Sequence, residues 1–280
     1  MTKFIEEKIY QKAFDLSYNL GSFMCSFISD LEDEIVWFIF KLEERPEIKQ
    51  TIYVMDFNRE KSEIKHFEIA DGRRPAICLS WYVSQIGFIE LTISPTLLDI
   101  NNMFAEIPVK VYIQRHALRR SEERVDCLSK NDLHSTLYTS FYEPEVIPMG
   151  KNQALIAYRI INSKVGYLVS EYIDGTILIH TFLFITNNGT PEEKKLNELT
   201  GLGKLDKKYL ALDKLSSFIR SDIGHNEKLR FLFVNAGCGC LLEIEETVQA
   251  IDTKHADNAN ITLIQKYLNS NEATFQEVYE

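Results

Sequence analysis

No stretch of the chain is apolar for long enough to span a bilayer. The densest apolar run, IVWFIF at Ile35 to Phe40, falls far short of the roughly 20 residues a spanning helix needs. The opening MTKFIEEKIYQ is charged and amphipathic and lacks the apolar core of a secretory signal. Cysteine is sparse and odd in number: five, at positions 25, 78, 127, 238 and 240. That scatter is not a disulfide framework; it predicts free thiols in a reducing compartment, a cytoplasmic location and no membrane partner. An excess of positive charge is also missing. Lys and Arg number 31 against 41 Asp and Glu, a net charge of −10, so the field of the whole chain repels nucleic acid and anionic membranes. A nucleic-acid site would have to be a local reversal of that field.

The motifs that announce a chemistry are absent too. There is no G-x-S-x-G, no P-loop and no H-E-x-x-H. The segment FVNAGCGC, Phe233 to Cys240, places Gly237 and Gly239 after an apolar run. A nucleotide-binding loop would need a following helix and further parallel strands, and the remaining sequence holds no such pattern. Cys238 and Cys240 lack a second Cys pair; His225 and His255 are the nearest other candidates, so no metal is implied. His66 and His134 stand alone and read as structural. No cofactor is implied.

What is present is ordinary globular material: 280 residues, 45% hydrophobic and 26% charged, enough for one large domain or two small ones. Ile5, Ile9, Ala13, Leu16, Leu20, Phe23 and Phe27 recur at helical spacing, interrupted by Gly21. IVWFIFKL, TIYVMDF, PAICLSWYV and GFIELTIS then read as a strand meander. Pro95 and Pro108 bracket a connector. A strand at Val109 to Ile113 leads into a helix over 115–128, and a second helix follows, capped by Asn131 or Asp132, with Leu133, Leu137 and Phe141 as its stripe and Pro144 as its end. Three strands come next, ALIAYRII, VGYLVSEYI and TILIHTFLFI, the last two joined by Asp174-Gly175, a strong hairpin signal. Thr190, Pro191 and Glu193 predict a helix start with a capping box. Further expectations are a helix over 206–220, a strand over 229–234 and a short helix over 261–268. The predicted class is α+β: an N-terminal helix and meander (1–107), a helical hairpin on a three- to four-stranded antiparallel sheet (108–224), and a C-terminal extension (225–280) with helices.

Counting back from the turns predicts the strand faces. A two-residue loop at 174–175 pairs Glu171 with Leu178, Val169 with His180 and Tyr167 with Phe182; a three-residue loop at 162–164 pairs Arg159 with Tyr167. One face then carries Arg159, Tyr167, Val169, Glu171, His180 and Phe182. The other carries Ile156, Tyr158, Ile160, Leu168, Ser170, Ile179, Thr181 and Leu183, and reads as the core. Arg, Glu and His on one face suit acid–base work beside a cation, and equally suit a wet sheet face with a surface ion pair. In the preceding helix, Leu118, Ser121, Val125 and Leu128 share one side, with His116, Arg120 and Arg124 opposite. Lys110, Arg115, Arg119, Arg120, Arg124 and Lys130 outnumber Glu122, Glu123 and Asp126, the minimum that phosphate binding requires.

This order of elements, with HALRRSEER and ALIAYRII…VGYLVSEYIDGTILIHTFLFIT, resembles the barnase–EndoU–colicin–RelE group of small RNase and toxin folds over residues 108–200. The resemblance implies a metal-independent endoribonuclease. His116 and Arg120 correspond to a helix-borne pair, Arg159 to a strand arginine, and His180 or Thr181 to the residue near the reacting phosphate. A 2′-hydroxyl would attack the adjacent phosphate, with His180 or Glu171 moving protons and Arg120 and Arg159 stabilising the phosphorane. RNA would be the partner, through Lys110, Arg115, Arg119, Arg120 and Arg124, with the N-terminal segment regulating or targeting. The alternative is a non-enzymatic α+β module that binds another protein, through its N-terminal strands or helix.

Overall fold

The computed structural model describes residues 52–57, 60–69, 72–83, 87–100, 106–128, 143–160, 163–219, 222–244 and 261–270, with Leu133, Thr136, Leu137 and 139–141. The expected helix from Ile5 to Phe27 and the IVWFIFKL strand lie outside these residues.

The class is α+β. The strands are β1 (Ile52–Phe57), β2 (Glu60–Ile69), β3 (Gly72–Cys78), β4 (Ser80–Val83), β5 (Gly87–Glu90), β6 (Thr92–Ile93), β7 (Val109–Ile113), β8 (Val146–Gly150), β9 (Gln153–Ile160), β10 (Ser163–Ile173) and β11 (Thr176–Phe184). The helices are α1 (Arg115–Arg124), α2 (Pro191–Thr200), α3 (Lys204–Tyr209), α4 (Ser216–Ile219), α5 (Glu227–Asn235) and α6 (Ile261–Ser270). Leu133, Thr136, Leu137 and Thr139 are also helical. Among the described residues no helix is long and apolar enough to cross a membrane.

One mixed sheet runs in the order β1-β2-β3-β7-β11-β10-β9-β8, with β6 beside β7 and β4-β5 as a separate hairpin. It crosses the boundary expected at 107/108, because β3 and β6 pair with β7. β7 and β11 are parallel, joined by a crossover that carries α1. Two expected strands break in the middle. PAICLSWYV divides at Leu79 and GFIELTIS at Leu91. There the chain leaves the large sheet for the hairpin: the Leu91 amide donates to the Leu79 carbonyl, Leu79 to Val111, and Val111 to Leu91.

The Asp174-Gly175 turn is as predicted, with φ of 51° and 71°, and Ile173 faces Thr176. The register then slips. Ser170 pairs with Ile179 but Val169 with Thr181, leaving His180 as the extra residue of a bulge. This corrects the expected faces beyond the bulge. Phe182 turns into the core, edge-to-face against Tyr158 at 5.2 Å, while Thr181 and Leu183 face the other side. A second slip leaves Val165 without a β9 partner, so Arg159 faces Lys164 and not Tyr167. Gly166 follows it: a Cβ there would lie 2.3 Å from the Leu183 carbonyl oxygen.

One sheet face, with Val111, Ile113, Ile156, Tyr158, Leu168, Ile177, Ile179, Phe182 and Phe184, shares a continuous core with α1, α2, α4, α5 and α6. The opposite face carries smaller clusters around Phe67, Tyr112 and Leu178, and around Leu155, Ala157 and Tyr167. Helix corrections have local causes. α1 stops at Arg124, short of the expected Leu128. Beyond it Asp126 accepts from the Ser216 amide and hydroxyl, and the Arg124 carbonyl accepts from the Leu215 amide. Those ties also interrupt the helix expected over 206–220, where Ala211 takes a positive φ. The strand expected over 229–234 is α5, capped by the Asn226 side chain on the Leu229 amide; a short apolar run does not distinguish the two states. Thr190 caps α2 as expected, but the Glu193 carboxylate turns away to Lys207.

Candidate functional site

His180 and Glu171 meet. Alternation from the turn keeps His180 on the face of Glu171, and His180 Nε2 lies 2.9 Å from Glu171 Oε2, both partly exposed. Thr181 sits beside Val169 on the same face. Arg159 shares that face but not the neighbourhood. Gln153, the β9 partner of Glu171, is six residues from Arg159 along the strand, a span of about 20 Å. Arg159 pairs with Glu145, which also receives Lys164 at 3.4 Å.

His116 and Arg120 lie across the sheet. α1 packs through Ala117 and Ser121, with Ala117 in the core cluster that holds Ile177 and Ile179, so the sheet stands between α1 and the His180–Glu171 pair. Gln114, at the start of α1, donates its amide to the Ile179 carbonyl at 3.0 Å. His116 is exposed; partial burial, helped by the Arg120 charge, holds its pKa below the usual histidine value.

The expected basic patch is largely engaged with acids. Arg119 and Arg120 both bind Glu123, each at 2.8 Å. Arg124 pairs with Asp213 and ties α1 to the turn between α3 and α4. Lys110 projects on the opposite sheet face, 2.7 Å from both Glu63 and Glu90. Arg115 is exposed.

The Lys110 cluster is the best arrangement of cation ligands among the described residues. Glu63, Cys78 and Glu90 bring donor atoms within 4.8 Å of one another. The Lys110 ammonium already supplies the positive charge between the carboxylates. Burial pushes the Cys78 thiol up to about 12, reinforced by Glu63 and Glu90, which disfavours the thiolate a metal needs. Burial raises the Glu63 pKa, but hydrogen bonds from Lys110 and Tyr112 outweigh it and hold the carboxyl below its ordinary value. None of Cys78, Cys127, Cys238 and Cys240 is in a disulfide.

Sequence reasoning missed a second polar group. Glu192 accepts from Tyr167 and Lys164, each at 2.8 Å, and Cys240 Sγ reaches the Lys164 carbonyl at 3.0 Å. It also missed the orientation of α3, whose Lys207 points inward to Glu193 at 2.6 Å. The Glu192 and Glu193 pair in TPEE was legible only as helix-start chemistry, since its partners come from other elements, β10 and α3. Comparison with family models, curated proteins and solved structures returned no match.

Proposed function

We propose that this chain is a non-enzymatic α+β module that binds another protein. One observation carries the reading: the side chains expected to form a reaction centre are divided between the two sides of the sheet. His116 and Arg120 belong to α1 on one side; Arg159, Glu171, His180 and Thr181 lie on the other, with Arg159 far along the strand. Phosphoryl transfer needs acid, base and cation around one phosphate. Arg120 and Arg159 each have a carboxylate partner, and the net charge of −10 opposes a polyanion. Cysteines outside disulfides suit the cytoplasm.

Incubation of the purified chain with single-stranded and hairpin RNA, read by fragment length and by binding at low salt, tests this. The expected result is intact RNA and no salt-dependent complex. A second reading, a metal-independent endoribonuclease, rests on the His180–Glu171 contact at 2.9 Å. Cleavage by the wild-type chain that disappears in His180→Ala would replace the first reading with the second.

A further inference from the structure

Helix α3, Lys204–Tyr209, is turned inside out. Its buried side chain is Lys207, only 2% exposed, held by Glu193 at 2.6 Å and by Asn188 at 3.0 Å. Asp206 closes the helix start on the Gly203 amide at 2.8 Å and receives the Tyr267 hydroxyl from α6. Leu205 and Tyr209, one turn apart, lie on the side away from Lys207. They are 79% and 69% exposed, the most exposed large apolar side chains among the described residues.

A helix this short has little stability of its own, so its neighbours set which face is inward. The ordinary arrangement would bury Leu205 and let the lysine stem snorkel outward. Here an ion pair turns the lysine in and presents leucine and tyrosine to the outside. Lys204 and Lys208 are exposed beside them. Asp206 is already engaged, so the outward charge of this helix is positive in a chain of net charge −10.

We infer that the Leu205–Tyr209 face of α3 is the docking surface for another protein, which presents an acidic segment with apolar anchors. Its apolar side chains cover Leu205 and Tyr209, and its carboxylates meet Lys204 and Lys208. This rests on the reading of the chain as an interaction module and supplies that module's surface and partner chemistry. Tyrosine is a frequent energetic anchor of interfaces, and charge complementarity orients and speeds docking.

The test is selection of a random dodecapeptide library on the full-length chain, followed by fluorescence anisotropy with the enriched peptides. The expected peptides combine aromatic or aliphatic residues with Asp and Glu. Leu205→Ala and Tyr209→Ala should each weaken them about tenfold or more. Lys204→Glu with Lys208→Glu should weaken them and flatten the salt dependence. These positions are exposed, so each variant should keep the wild-type urea midpoint. Enrichment of basic or neutral peptides, binding indifferent to these substitutions, or no enrichment overturns the inference. So does self-association of the chain that Tyr209→Ala abolishes, which would assign the face to a second copy. Peptides that bind but protect a different surface from hydrogen exchange overturn this surface and leave the interaction reading standing. RNA cleavage by the same preparation overturns the reading itself.

Discussion

Lys207 and Arg159 show how differently two ion pairs weigh. The Lys207 side chain is 2% exposed and its partner Glu193 10%, so removing one member leaves the other charge buried without compensation. Lys207→Ala should lower unfolding free energy by about 3–5 kcal/mol, and Lys207→Met with Glu193→Leu should recover much of that loss. Arg159 and Glu145 are both more than a third exposed. Arg159→Ala should therefore cost no more than about 1 kcal/mol, read as a urea midpoint. Glu63 adds a pH dependence. Its folded pKa lies below the unfolded value, so its contribution is complete above the unfolded pKa and fades as pH falls through the folded one. Glu63→Gln should flatten the acid limb of the stability curve and leave neutral pH less stable. An acid limb unchanged by that substitution would mean that the Lys110 and Tyr112 contacts do not bias the carboxyl.

The elements show why some of the fold could be read and some could not. Gly166→Ala is the sharpest case. The added Cβ would meet the Leu183 carbonyl oxygen at 2.3 Å and the Phe182 ring at 2.6 Å, and backbone cannot yield as a flexible side chain can. The expected loss is about 1–3 kcal/mol or more, measured by denaturant unfolding; a neutral effect would mean the bulge is dispensable. The Asp174-Gly175 turn and the Thr190 cap were legible because their chemistry is local. The slips at His180 and Val165 were not. They are decided by packing across strands, Phe182 against Tyr158 and Gly166 against Leu183, and no run of residues encodes those partners. The His180–Glu171 contact survived because it lies next to the turn that sets the register. The place of Arg159 did not survive, because a slip intervenes. Arg124 was misread as outward for a related reason: Asp213, its partner, lies 89 residues away.

At the scale of the molecule, the sheet separates the groups expected to act together. A single large sheet, with α1 in the main core on one face, leaves the His180–Glu171 pair across from it. Neighbouring acids meet most of the cations expected to bind phosphate. The outward apolar and basic face of α3 lies in a different part of the fold, beside α6. With the sheet between them, His116 and His180 line no common phosphate-binding groove. Proton NMR of the histidine ring signals, with His116→Gln and His180→Gln variants for assignment, reads this directly as a 3′-nucleotide is added. Neither ring signal should move with the nucleotide, and His116 should titrate below the usual histidine range. Saturable movement of both signals, with one common midpoint and loss of both in Arg120→Ala, would contradict it.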